Sequence, residues 1–96
     1  MAQFTLREKA ETDLLSIGRY TQKKWGIKQR NRYLNQIDPT FSLLADNPDN
    51  GKKCDHIKQG YFKYTVGKHD IYFRKIETRM EIVRILHQRM DVNQHL

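Results

Sequence analysis

The sequence predicts an α+β domain with the order β-α-α-β-β-β: an N-terminal strand, an antiparallel helical hairpin, and a small, mostly antiparallel sheet on which the hairpin packs. Three observations carry this reading. Apolar residues recur every three or four positions from Ala10 to Ala45, the period of a helix face. Gly26 interrupts that pattern once, where a hairpin would turn. Beyond Gly60, aromatic and β-branched residues gather into three short runs separated by turn residues. The 96 residues make a single domain, 1–96, large enough for one modest core.

Phe4-Thr5-Leu6 is the first strand. From Glu8, the positions Ala10, Leu14, Ile17, Thr21 and Trp25 share one helical face, with acids early and Lys23 and Lys24 late, as the helix dipole favours. Arg7 offers no short acceptor side chain for the first amides. The second helix carries Tyr33, Leu34, Ile37, Phe41, Leu44 and Ala45. Pro39 falls inside it, but Leu34, Ile37, Phe41 and Leu44 keep one phase across the proline, which predicts a single kinked helix. Asn47-Pro48-Asp49-Asn50-Gly51 ends it, and Lys52 to Gln59 connects to the sheet.

Gly67-Lys68 and Glu77-Thr78-Arg79 are short enough to join antiparallel strands. Strict alternation puts Val83 and Ile85 on one face of the last strand and Ile82, Arg84 and Leu86 on the other; in the middle strand Ile71 and Phe73 oppose Tyr72 and Arg74. One face then packs on the hairpin, and Tyr72, Arg74 and Arg84 lie on the other, partly open face.

The formal net charge of +7 and pI of about 9.7 point to an acidic partner: nucleic acid, an anionic membrane surface or an acidic protein segment. No phosphate-cradling glycine loop, Gly-x-Ser-x-Gly elbow or His-Glu-x-x-His helix is present. Cys54 and His56 are close in sequence but lack the further ligands of a zinc site, so neither a metal nor a cofactor is expected. With one cysteine, no internal disulfide forms. No segment is long and apolar enough to span a bilayer, and no export signal is evident, so a cytoplasmic protein is expected.

Arg74, Arg84, His87 and Arg89 form the one constellation with a chemical use. Two arginines and a histidine near a sheet edge can grip phosphates and move a proton, as RNA cleavage by a 2′-hydroxyl requires. The competing reading is structural: Arg84 pairing with Asp70 or Glu81 across strands, and His87 hydrogen-bonding backbone. Aromatics interleaved with bases along Tyr61-Phe62-Lys63-Tyr64 and around Tyr72-Phe73-Arg74 can stack bases, although alternation sends half of them to the core.

The chain resembles the ParE branch of the RelE/ParE toxin superfamily over nearly its whole length. The residues that carry the resemblance are Ala10-x-x-Asp13-Leu14-x-x-Ile17, Tyr20-Thr21-x-x-x-Trp25-Gly26, Gln29-x-x-x-Tyr33, and Phe41-x-x-Leu44-Ala45-x-Asn47-Pro48-x-x-Gly51. The sheet adds Gly60-Tyr61-x-Lys63-Tyr64, His69-x-Ile71-Tyr72-Phe73-Arg74 and Ile82-Val83-Arg84-Ile85-Leu86-His87-x-x-Met90-Asp91. Arg7, where this family often has a Ser or Thr cap, and Pro39 depart from its pattern.

The resemblance implies a toxin with no chemistry of its own. It would trap DNA gyrase, through the A subunit, in the state with both DNA strands cut. It would be held inactive by a ParD-type antitoxin and reach operator DNA only through that antitoxin. Target contacts are then expected at Tyr72, Arg74, Arg84, His87 and Arg89. Antitoxin contacts are expected along the hairpin at Leu14, Ile17, Trp25, Tyr33 and Ile37. The RNA-cleaving branch of the superfamily is the alternative, with Arg74, Arg84 and His87 as its catalytic candidates. That branch often has a tyrosine after His87, where this chain has Gln88, Arg89 and Met90.

Overall fold

The computed structural model describes residues 3–96. Strand β1 (Gln3–Leu6) leads into helices α1 (Glu8–Trp25) and α2 (Ile27–Asp46), and strands β2 (Lys52–Lys53), β3 (Tyr61–Val66), β4 (His69–Ile76) and β5 (Arg79–His87) follow. They form one sheet in the order β1-β5-β4-β3-β2. β1 runs parallel to β5, and the other pairings are antiparallel. The α+β architecture is the predicted one. The fifth strand, Lys52–Lys53, lies in the segment read as a connector; two residues are too few to show a period.

The helices form the expected antiparallel hairpin about Gly26 (φ +95°). Arg30 Nη1 donates to Gln22 Oε1 at 2.6 Å, and Gly18 faces the Leu34 side chain, so positions pair in opposite directions along the two helices. The buried hydroxyl of Thr21 donates back to the Ile17 carbonyl at 2.7 Å, which lets a polar residue share the apolar face. No side chain caps α1 at Arg7. Helix α2 runs unbroken through Pro39, and beside the proline Thr40 Oγ1 donates to the Gln36 carbonyl at 2.9 Å.

The main core lies between hairpin and sheet. Ala10, Ile17, Ile37, Phe41, Leu44 and Ala45 from the helices meet Ile71, Phe73, Met80, Ile82 and Ile85 from the strands. A second cluster occupies the opposite sheet face, where Cys54, Tyr61, Tyr72, Val83 and Leu86 are buried and Ile57, Val92 and Leu96 pack against them. The second face is therefore covered at this point by the connector and the C-terminal segment. Tyr72, expected on an open surface, is 4% exposed, and burial pushes its hydroxyl pKa up to about 12, with Asp70 and then Cys54 adding to the rise.

Strict alternation fails in β5. The register slips by one residue between Tyr72 and Phe73, which pair with Arg84 and Ile82 and leave Val83 without an opposite number. This β-bulge turns Ile82 and Ile85 to the same helix-facing core and Val83 and Leu86 to the other face, correcting both pairings read from the sequence. Asp13 of α1 braces the bulge. Arg84 Nε and Nη2 donate to its Oδ2 and Oδ1 at 2.8 and 2.9 Å, and the Ile85 N–H donates to Oδ2 at 2.9 Å. Arg84 Nη1 also donates to the His95 carbonyl at 3.3 Å, so one side chain joins helix, strand and C-terminal segment. The bond to Asp13 holds the Arg84 pKa above its ordinary value.

Asp13→Ala leaves a largely buried guanidinium and the Ile85 amide without their acceptor, and denaturant unfolding is expected to lose about 3 kcal/mol. Asp13→Ala/Arg84→Met is expected to lose clearly less than the sum of the two single variants. Additive losses in that cycle would count against the brace.

Candidate functional site

A concavity of about 590 Å³ opens where the hairpin tip meets the end of the sheet. The C-terminal turns of α1 supply Tyr20, Thr21, Lys24 and Trp25, and α2 supplies Gln29 and Tyr33. Gly67 and Lys68 come from the β3–β4 turn, His69 from the start of β4, and His87, Gln88 and Arg89 from the end of β5 and just beyond it. The lining holds three cations, Lys24, Lys68 and Arg89, and no carboxylate.

Tyr33 ties the hairpin to the turn. Its hydroxyl lies 2.6 Å from His69 Nδ1 and 3.2 Å from the Val66 carbonyl, and it accepts the Lys68 N–H at 3.2 Å. One arrangement satisfies all three contacts: His69 donates from Nδ1, Tyr33 accepts that proton and the Lys68 amide, and the phenol donates to Val66. Gly67 makes this approach possible. Its φ of +58° suits glycine, and a Cβ there would meet the Tyr33 ring at 2.7 Å.

The His69 and His87 rings meet edge to face with centroids 5.2 Å apart. Burial above all, and then the neighbouring His87, holds the His69 pKa below its ordinary value, against smaller upward pulls from Asp70 and Asp13. His87 Nδ1 accepts the Arg89 N–H at 3.1 Å, fixing the chain as it leaves β5. On the rim, Lys24 lies over the Tyr20 and Trp25 rings, 5.7 and 5.5 Å from their centroids, and its Nζ donates to the Tyr20 hydroxyl at 3.2 Å. Both aromatics project outward, Tyr20 61% and Trp25 65% exposed.

The residues singled out from the sequence divide among different places. Arg74, Arg84 and His87 do not converge. Arg74 donates to Glu81 at 2.9 Å, a carboxylate shared with Arg7 at 2.8 Å. Arg84 is engaged by Asp13 rather than by Asp70 or Glu81, and Asp70 instead accepts from Thr65 Oγ1 at 2.6 Å. His87 pairs with His69 five positions along β4 from Arg74, roughly 16 Å at strand spacing. Of the five target candidates, His87 and Arg89 share the groove, Arg74 and Arg84 lie elsewhere, and Tyr72 is buried.

Of the five hairpin candidates, Ile17 and Ile37 are core residues and Leu14 packs against the core. Trp25 and Tyr33 line the groove. Periodicity assigns a helix face but not what covers it, so core and surface apolar positions read alike. Sequence reasoning missed His69, Lys68 and Tyr20 as groove residues. Gly67-Lys68 signalled a turn, but no local pattern links it to Tyr33, more than thirty positions away.

Among the described residues no group of three His, Cys, Asp or Glu side chains is placed to hold a metal, and no helix is long and apolar enough to cross a membrane.

A family model described as ParE toxin of the type II toxin–antitoxin system parDE matches residues 4–92. The chain is 31% identical over 96 residues to Toxin ParE1 of Caulobacter vibrioides, covering 100% of this chain and 99% of that one. It is 35% identical over 96 residues to Toxin ParE1 of Mycobacterium tuberculosis, covering 99% and 98%. A solved structure titled as a chromosomal ParDE TA system from P. aeruginosa superposes with a TM-score of 0.80 at 19% identity, over 91% of this chain and 96% of that one, a likeness of fold. The chain belongs to the ParE toxin family.

The depressed His69 pKa carries a pH dependence. The unfolded imidazole takes its proton near pH 6.5, and the folded one resists until lower pH. The stability this contributes is complete above the unfolded value and is lost as pH falls from there through the folded pKa. His69→Gln is therefore expected to flatten the fall in melting temperature between about pH 7 and pH 5. Parallel curves for the two proteins would remove His69 as the cause.

Proposed function

We propose that this ParE-family chain inhibits DNA gyrase by trapping the enzyme's cleaved-DNA complex, acting as a binding inhibitor in the cytoplasm without a cofactor, and that a ParD-type antitoxin neutralises it. Family membership over residues 4–92 supports the toxin role. One structural observation favours an inhibitor over an RNA-cleaving enzyme: Arg74 and Arg84 are each held by an internal carboxylate, and neither lies with His87. A nuclease centre needs its phosphate-gripping and proton-moving groups around one scissile bond. Arginines committed to Glu81 and Asp13 serve the fold instead.

In this reading the target contact includes His87 and Arg89, which stand at the groove with no carboxylate beside them in its lining. The antitoxin contact on the hairpin narrows to Trp25, with Leu14 and Tyr33 accessible only in part. The excess positive charge suits an acidic antitoxin segment that orders on binding, and operator DNA is reached through the antitoxin.

The test is a cleavage assay with purified protein, gyrase, supercoiled plasmid and ATP, ended by denaturant and protease. Linear DNA that accumulates only with the protein, and disappears when antitoxin is added first, is the expected result. Absence of linear DNA would sink the gyrase assignment, and messenger cleavage on translating ribosomes would then be tested.

A further inference from the structure

We infer that the groove between the hairpin tip and the β3–β4 turn binds single-stranded DNA, with Lys68 and Arg89 holding phosphates and Trp25 offering a stacking face. The inference rests on the gyrase reading above and extends it: the toxin contacts the opened DNA itself as well as the enzyme.

Composition and shape carry the argument. Three cations and no carboxylate line the groove, so an anion entering it meets attraction without an opposing charge from the lining. The aromatic residues on its rim are flat and outward-facing, Trp25 at 65% and Tyr20 at 61% exposure. Lys24 holds its ammonium over one face of the Trp25 ring, 5.5 Å from its centroid, so positive charge lies against the ring while the residue as a whole stays 65% exposed. Cations and exposed rings in one groove match a strand that presents phosphates and bases. The amides of Gln29 and Gln88 add hydrogen-bonding groups.

Two features favour a nucleic acid strand over an acidic peptide. The rings of Tyr33, His69 and His87 meet within the lining, and the Lys68 amide is already bonded to the Tyr33 hydroxyl, so it is not free to pair with an extended peptide. The exposed rings also stand beside the cations, where carboxylates alone would leave them unused. Duplex DNA keeps its bases stacked inside and cannot use Trp25, so the groove prefers an opened strand.

Trp25 is the only tryptophan of the chain, which makes its fluorescence a reporter of the groove. The full-length protein is titrated with a short oligothymidylate, with a duplex of the same length, and with oligoglutamate. Saturable quenching by oligothymidylate, weaker by duplex and by oligoglutamate, is expected. Lys68→Ala/Arg89→Ala should weaken binding and lower the salt dependence by about 1.4 in logarithmic slope, two single-strand phosphate contacts. Trp25→Ala, followed by anisotropy of a labelled strand, should weaken binding roughly fivefold or more. Lys52→Ala/Lys53→Ala removes two charges outside the groove and should leave binding near wild type.

The inference is overturned if no saturable quenching occurs, if duplex or oligoglutamate binds as tightly, or if the Lys52/Lys53 variant loses as much as the groove variant. Retained melting temperatures show that the variants are folded. The gyrase assay reads separately: linear DNA without oligothymidylate binding removes this inference alone, and strand binding without linear DNA removes the gyrase reading.

Discussion

At the bulge in β5 the chain has one residue too many for its neighbour, and a single carboxylate from α1 resolves the mismatch. Asp13 takes two of the three guanidinium nitrogens of Arg84 and the Ile85 amide that parallel pairing with β1 no longer serves, since that pairing ends at Leu6 and Ile82. The charge-assisted, two-pronged bond is of the strong kind, and it operates where solvent screens it little. Much else follows from this contact. It locks α1 across the edge of β5, sets which side chains of β5 enter each core, and draws in the C-terminal segment through the His95 carbonyl.

The same contact decides what the arginines do. A strand arginine in a small basic domain invites a catalytic or phosphate-binding reading, and Arg84 has the right neighbours in sequence for it. Its hydrogen-bonding nitrogens are instead occupied within the fold, as is Arg74 through Glu81. Among the other cations, three gather at the other end of the sheet with no carboxylate in the lining they share. There Lys68 and Arg89 flank a groove whose position depends on Tyr33 holding the β3–β4 turn against the hairpin. Arg74 and Arg84 are thus neutralised by carboxylates within the fold, whereas Lys24, Lys68 and Arg89 line the groove with no carboxylate among its residues.

The two cores differ in kind. The helix-facing one is aliphatic and aromatic, built from residues whose periodicity announces them. The other contains Tyr61, Tyr72 and Cys54 and is closed by connector and C-terminal residues with no regular period. Burial there raises the thiol pKa of Cys54 as well as that of Tyr72, which keeps both neutral and suits a packed rather than a reactive environment.

Local chemistry in the sequence was sufficient for the element order, the hairpin about Gly26, the continuous helix across Pro39 and the turn at Gly67-Lys68, because propensity, period and turn residues act over a few positions. It was also sufficient for the family resemblance. Tertiary structure alone decided the rest. The bulge at Val83 is invisible to a period-two reading, since one inserted residue leaves the composition of the strand unchanged while exchanging its faces. Asp13 looked like any acid in the first turns of a helix; only the crossing of α1 over β5 makes it the partner of Arg84, seventy-one positions away. Ile17 and Ile37 shared a stripe with Trp25 and Tyr33, but the sheet buries the first two, its end meets Tyr33, and Trp25 stays 65% exposed. The groove joins four segments that no local pattern connects, because its geometry comes from how the hairpin tip meets a β-turn, and contact between distant elements is set by packing rather than by spacing along the chain.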